Sequence, residues 1–235
     1  MGQVSEHTDP RLLANRDALV EQILLAYKSL SPARRLVVGI AGAPASGKST
    51  LAEWLVTRLN SKLSDTQAAV VVPMDGFHLD NAILDARGNR SVKGAPHTFD
   101  AVGFQHLLQR LSSPVPDSAE ASVGVVYIPV FDRTMDLARC AASEVTSHHR
   151  IVVVEGNYLL LNRPVWRELR VCLDISVMLD VPLETLEKRL VKRWIDHGLD
   201  GADATDRALS NDIPNARVVT LESSSAHFLL KGVRQ

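Results

Sequence analysis

Gly42-Ala43-Pro44-Ala45-Ser46-Gly47-Lys48-Ser49 fits G-x-x-x-x-G-K-[ST], the pattern of a phosphate-binding P-loop. In a chain of 235 residues, average residue usage makes a chance match an event of about one per cent. The flanks strengthen the reading. Leu36 to Ala41 is a short apolar run, as a buried parallel strand requires. Leu51, Ala52, Leu55, Val56 and Leu59 then recur on one face of an amphipathic helix. Gly42 and Gly47 let the backbone turn tightly against an anion. The loop from Gly42 through Ala43, Pro44, Ala45, Ser46 and Gly47 is expected to cradle the β-phosphate with its N–H groups and the positive end of the helix. Lys48 would reach the β- and γ-phosphate oxygens, Ser49 would complete a Mg2+ shell, and Thr50 joins the nucleotide-binding set.

Composition bounds what such a chain can be. A hydrophobic content of 46% supports a sizeable core, and a net charge of −1 argues against nucleic acid as a partner. No run reaches the roughly 18 apolar residues of a membrane span, and the polar stretch Met1 to Pro10 lacks the apolar segment of a signal peptide. Glu6 stands where a myristoylated Gly2 would require Ser or Thr. Cys140 and Cys172 are far apart, with no C-x-x-C, so two buried or half-buried reduced thiols are expected rather than a disulfide or a zinc site. The expectation is a cytoplasmic protein with no membrane association, with a homodimer as the candidate assembly.

Taken in order, residues 10 to 30 read as a first helix with Leu13, Val20, Leu24 and Tyr27 on one side, ended by Ser31-Pro32. Ala68 to Val72 is a second apolar strand, stopped by Pro73. From Met74 to Asp100 the chain is rich in Gly, Asn, Asp and Arg, a long functional loop. A short helix follows, carrying Val102, His106, Leu107 and Leu111. Ser112 to Ser122 reads as an exposed connection, Val123 to Val130 as a strand, Ile151 to Gly156 as a buried strand and Leu173 to Val181 as another. Pro182 starts a helix at its favoured first turn, and Arg217 to Leu221 reads as a last short strand. Strands alternating with helices predict an α/β fold with a doubly wound parallel sheet, the P-loop nucleoside triphosphate hydrolase fold. A single domain over 1–235 is expected: an N-terminal helix over 1–34 and a core over 35–231, with a lid helix at about 182–198.

Ligands of open parallel sheets sit at the carboxyl ends of the strands. Asp75, Asp132-Arg133 and Glu155 lie at three such ends. A carboxylate near a γ-phosphate can accept the proton of an attacking hydroxyl or hold magnesium. Asp75, just before the long loop, suits the base; Glu155, closing a dry strand, suits the metal with Ser49. On the helix after Pro182, Leu183, Leu186, Leu190 and Trp194 form one face, and Lys188, Arg189, Lys192 and Arg193 the other. Arg189 and Arg193 are the candidates to place charge on a transferring phosphoryl group, Arg193 first. His78 and His97 lie in the loop, with His78 a candidate substrate contact alongside Asp75, Asp132 and Arg133. Asn211 and Asn215 flank Pro214 and read as ordinary loop chemistry, with the nucleotide base as their alternative use.

These residues resemble the phosphoribulokinase, uridine kinase and bacterial pantothenate kinase superfamily. Asp75-Gly76-Phe77, Lys93-Gly94-Ala95-Pro96-His97-Thr98-Phe99-Asp100 and Pro129-Val130-Phe131 are similar to pantothenate kinase segments in order and spacing. With Glu155-Gly156-Asn157-Tyr158-Leu159-Leu160-Leu161 the pattern looks closest to a branch labelled "putative fructose transport system kinases" or nucleoside/nucleotide kinase-family proteins, over roughly residues 35 to 231. The resemblance implies a kinase that uses ATP and Mg2+, with Lys48 and Ser49 as the nucleotide pair. It also implies Asp75 as base, Glu155 as magnesium-site acid and Arg193 as lid arginine. Where pantothenate kinases carry a substrate-binding histidine, this chain has Asp132-Arg133, which points to a different polar or anionic acceptor.

The leading expectation is transfer of the ATP γ-phosphoryl group to a hydroxyl of a small metabolite, such as a sugar of the fructose type. A nucleoside or pantothenate-like kinase is the alternative. A nucleotide-gated regulatory NTPase is the reading from another class. The last lacks support from the N-K-x-D and L-S-G-G-Q motifs, both absent, and Asp85-Ala86-Arg87-Gly88 has no strand before it.

Overall fold

Leu36 to Gly42 carries no polar side chain, and the chain answers by running β2 (Leu36–Gly42) through the middle of a sheet with all seven residues buried. The computed structural model describes residues 11–115 and 124–231. Six strands form the main sheet: β1 (Arg11–Leu13), β2, β3 (Ala69–Pro73), β6 (Ile151–Gly156), β7 (Ile175–Asp180) and β8 (Phe228–Lys231). Their order is β1-β8-β7-β2-β6-β3, and every pairing is parallel. The doubly wound α/β fold is therefore present.

Helices cover both faces. On one face α1 (Arg16–Lys28) and α2 (Lys48–Leu63) bury Leu19, Ile23, Leu55 and Leu59 against Val38, Val153 and Val177. On the other, α4 (Ala101–Ser112) and α7 (Ile213–Glu222) bury Phe104, Leu108 and Val219 against Val37, Val152 and Tyr158. Leu55 is fully buried, so Leu55→Ala would leave a cavity costing about 2–5 kcal/mol. The register aligns Ile40 and Pro73 with Glu155, which sets Glu155 at the carboxyl edge between the P-loop strand and the strand ahead of Asp75.

Outside the main sheet, β4 (Val126–Asp132) and β5 (Leu137–Val145) make a two-stranded antiparallel ribbon. The remaining helices are α3 (Asn81–Ala86), α5 (Leu183–Asp196) and α6 (Gly201–Arg207). A π-helical turn, Ala208–Asp212, joins α6 to α7.

Several expectations need correction. Residues 11–13 are an edge strand paired with Phe228 to Leu230, so Leu13 is not on the first helix. Asn15 sets the helix start, its side chain accepting from the Ala18 N–H at 3.0 Å. Arg217 to Leu221 is helical: Pro214 occupies the first turn, and Ala216 and Val219 form a buried stripe that outweighs the β-branched residues there. The last strand is Phe228–Lys231 instead. On α4 the buried face is Phe104, Leu107, Leu108 and Leu111, and Val102 is exposed. The stretch 74–100 is built of single-turn helices and α3 rather than open loop, which places Asp85 of the D-x-x-G match on a helix. Cys172 is buried, and Cys140 is exposed on β5. The exposed connection expected over Ser112 to Ser122 falls mostly on 116–123, outside the described residues.

Candidate active site

The P-loop bends into shape through two left-handed residues, Ala45 at φ 62° and Gly47 at φ 94°. Gly47 adopts that angle without penalty, whereas Ala45 holds a conformation unusual for a residue with a Cβ. Ser46 N–H donates to the Ala43 carbonyl at 3.1 Å and closes the turn. Lys48 at the start of α2 is buried, and its Nζ donates to the Ala43 carbonyl at 3.0 Å. Burial lowers its pKa, opposed in turn by the charges of Glu155 and Asp75. The Ser46 hydroxyl is buried with no hydrogen-bond partner among the described residues. An ammonium taken out of water at the start of a helix fits a phosphate.

Beside the loop, the Ser49 hydroxyl donates to Glu155 Oε1 at 3.1 Å. Burial raises the Glu155 pKa, against the pull of Lys48. A hydroxyl and a carboxylate of this kind are the oxygen donors a divalent cation takes alongside phosphate and water, so the pair fits magnesium. The described residues contain no cluster of three or more His, Cys, Asp or Glu that could hold a metal by itself.

Across the cleft, Asp75 follows β3 in a one-turn helix, Met74–Phe77. Gly76 is required there: a Cβ would run into the Pro129 carbonyl of β4. Arg133, at the ribbon's turn, donates to Asp75 Oδ2 at 2.9 Å. His78 Nδ1–H donates to the Asp75 carbonyl at 2.7 Å, and its ring lies between Phe99 and Phe131, with centroids 4.1 and 4.6 Å away. Burial lowers the His78 pKa, so the neutral ring is favoured.

Helix α5 closes the third side. Leu186 and Leu190 are buried, Leu183 is largely exposed, and Trp194 donates its indole N–H to Asp212 at 2.6 Å. The basic face divides in two. Lys188 pairs with Glu184 and Lys192 with Asp196 in solvent, whereas Arg189 and Arg193 line the cleft. Arg189 donates to the Ala45 carbonyl of the P-loop at 3.3 Å. Burial, then the charge of Arg133, lowers the Arg193 pKa, so two guanidinium groups converge on one space.

The resulting cleft, about 450 Å³, is lined by Pro44, Ala45, Gly47, Lys48, Ser49, Thr50, Asp75, His78, Arg133, Glu155, Arg189 and Arg193 among others. Asp132 is not among them. Its carboxylate accepts from the Thr134 and Met135 N–H groups and lies 3.6 Å from Arg139, so it caps the ribbon's turn, and the expectation of a substrate contact there is corrected. That ribbon lies outside the parallel sheet, so Arg133 reaches the cleft from a separate hairpin and not from a strand end of the sheet. His97 is exposed.

Several lining residues escaped the sequence reading: Lys93, Asp136, Asn157, Arg207, Trp194 and Asp212. Lys93 opens the Lys93-Gly94-Ala95-Pro96 segment, which was the one available signal for it. Asn211 and Asn215 are buried in helical segments. Asn211 donates to the Lys93 carbonyl at 2.9 Å, and Asn215 donates to Asn211, so neither is a loop asparagine.

With strand, glycine loop and helix in P-loop order, and α5 facing the loop across the cleft, the molecule is a P-loop kinase in architecture. Residues 37–230 match the model of the phosphoribulokinase / uridine kinase family, and the chain belongs to that family. It is similar to protein YggC of Escherichia coli (strain K12), 33% identical over 209 residues, covering 89% of this chain and 83% of the relative. It is also similar to "Putative uridine kinase C227.14" of Schizosaccharomyces pombe, 32% identical over 215 residues, covering 89% and 88%. Among solved structures it resembles a "putative fructose transport system kinase" from Silicibacter sp. TM1040, at 42% identity and TM-score 0.81, covering 92% and 99% of the chains. YFH7 from Saccharomyces cerevisiae shares the fold at TM-score 0.79, 20% identity and 94% and 99% coverage. No helix among the described residues is long and apolar enough to cross a membrane.

Proposed function

We propose that this protein, acting as one cytoplasmic domain, transfers the γ-phosphoryl group of ATP to a hydroxyl of a small metabolite, with Asp75 as the general base. The observation that carries the reading is the facing of Asp75 and Arg133 towards Lys48, Ser49 and Glu155 within one cleft of about 450 Å³. A regulatory NTPase has no use for a second half-site carrying a base and an arginine. A kinase needs both.

Lys48 leaves the Ala43 carbonyl and moves its ammonium onto the β- and γ-phosphates. Ser49 and Glu155 would hold magnesium, which when bound would supply positive charge to offset that of the phosphates. Asp75 accepts the acceptor's hydroxyl proton while Arg133 keeps its carboxylate oriented. Arg193 and Arg189, brought in by α5, offset charge on the transferring group. Closure of α5 over the cleft would exclude water, so that transfer outpaces hydrolysis.

For the acceptor, a sugar of the fructose type heads the candidates, supported by the 42% identity to the Silicibacter protein. A nucleoside follows, supported by the name of the fission-yeast relative. The test is ATP consumption against a panel of sugars, nucleosides and vitamin precursors. Consumption that rises only with one hydroxyl compound supports the reading. Hydrolysis indifferent to all of them overturns it in favour of a nucleotide-gated module.

A further inference from the structure

Lys93 lines the cleft, where a cation would suit a substrate, yet its chemistry is already complete. An ammonium has three N–H donors and no acceptor. Lys93 Nζ donates to Asn81 Oδ1 at 2.7 Å, to the Asp136 carbonyl at 2.8 Å and to Asp136 Oδ1 at 2.7 Å. Its side chain is only 10% exposed, and the ammonium lies 4.9 Å from the centre of the Phe131 ring. A substrate oxygen could reach it only by displacing a partner.

All three acceptors tie Lys93 to structure. Asp136 sits at the ribbon's turn in a left-handed conformation, φ 54°, which Asp tolerates better than most residues and which presents both its carbonyl and its Oδ1 to Lys93. Burial opposes ionisation of its carboxyl, but hydrogen bonds from Lys93 and Asn81 hold it below the usual range. The Lys93 backbone is fixed as well. Its carbonyl accepts from Asn211, and the neighbouring Gly94 carbonyl accepts from the Tyr158 hydroxyl at 2.6 Å. The clamp therefore joins an immobile point of the core to the tip of the β4–β5 ribbon. Between its two strands that tip carries Arg133, on Asp75 Oδ2, and is entered from Phe131, stacked on the His78 ring that donates to the Asp75 carbonyl.

The geometry points to Lys93 as a positioning residue for the phosphoryl-acceptor half-site: it locks the turn 132–136 so that Arg133 and Phe131 hold Asp75 in place, and it does not touch the acceptor. The inference rests on the reading of Asp75 as the base. It assigns the charge of the clamp, Lys93 with Asp136, to geometry rather than to recognition.

The test is Lys93→Met, which keeps length and removes the donors, with amide hydrogen exchange and kinetics measured on the full chain. Exchange at residues 131–137 should quicken by about tenfold or more while β2 and β6 are unchanged. ATP affinity should stay within about threefold, and turnover with the acceptor found by the panel should fall about tenfold or more, in kcat rather than acceptor KM. Asp136→Asn keeps the backbone carbonyl and one side-chain oxygen for Lys93 and should lose less on each measure. Should Lys93→Met fail to fold, Asn81→Ala removes one of the three acceptors from exposed α3 and should quicken exchange at the same turn. Unchanged exchange overturns the inference whatever the activity. A rise confined to acceptor KM overturns it too, making Lys93 a substrate contact. Quickened exchange in a protein that phosphorylates no acceptor leaves the clamp standing and removes the kinase reading instead.

Discussion

Ser49 and Glu155 meet at the carboxyl edge of the sheet, the Ser49 hydroxyl donating to Glu155 Oε1 at 3.1 Å. The two come from different parts of the chain, the first turn of α2 and the last residues of β6, and the parallel register of β2 and β6 brings them level. Neither side chain has a packing reason to be there. A buried carboxylate held by one neutral hydroxyl is under-coordinated, which is the condition for taking a cation.

Glu155→Gln should therefore raise the magnesium concentration needed for half-maximal activity, by on the order of 10- to 100-fold. Nucleotide titrations at two magnesium concentrations would measure it. An unchanged magnesium requirement would assign Glu155 to structure.

Lys48→Met separates function from folding. The ammonium is buried and desolvated, so a methionine of similar length should leave the melting temperature of the nucleotide-free protein unchanged or higher. Transfer should fall by about 10² or more, because the lysine acts on the same phosphates as the loop. Wild-type turnover in this variant would remove the P-loop from the mechanism.

Arg133→Ala should lower turnover and raise the acceptor KM, since the guanidinium both orients Asp75 and borders the acceptor space. ATP KM should stay within about threefold. A change confined to ATP KM would move Arg133 to the nucleotide side.

Two histidines predict sensitivity to acid. His227 Nδ1 accepts from the Ser176 N–H at 3.0 Å, and His149 Nδ1 accepts from the Thr146 N–H at 3.0 Å, so each must be neutral at that nitrogen. Burial lowers both pKa values from 6.5. A lowered folded pKa means the unfolded chain binds more protons in the window below 6.5, so stability falls as pH falls through it. Melting temperatures taken from about pH 7 to about pH 5 should decline, and less steeply in His149→Asn or His227→Asn, whose amide oxygens accept without titrating. Parallel curves for wild type and both variants would contradict this.

The chemistry on single elements was legible in the sequence, and the chemistry between elements was not. The P-loop, Asp75 and Glu155 each sit where a strand stops, so local pattern alone places them. Arg189 and Arg193 were picked from the basic face on arginine chemistry alone, and that they line the cleft while Lys188 and Lys192 pair in solvent is visible only once α5 is packed. Val123 to Val130 was read as a strand, but its partner β5 was missed because β5 is mostly exposed and carries Ala, Ser, Arg and Cys, which have no buried face to give a period-two signal. Its pairing comes from the backbone of β4. The Lys93–Asp136 clamp spans 43 residues and is created by that pairing, so no window of sequence contains it. Arg217 to Leu221 misled in the other direction, since two adjacent valines resemble a strand until Ala216 and Val219 find a common core.

Asp75→Asn in single-turnover transfer, run beside ATP affinity and thermal melting, tests the central claim most directly. Asparagine keeps the shape and the carbonyl end of the Arg133 contact but cannot take the hydroxyl proton. The expected loss is about 10² to 10⁴ in rate, equivalent to roughly 3 to 5 kcal/mol, with ATP affinity and melting temperature close to wild type. A loss of less than about tenfold with normal ATP affinity would contradict the assignment of Asp75 as the base.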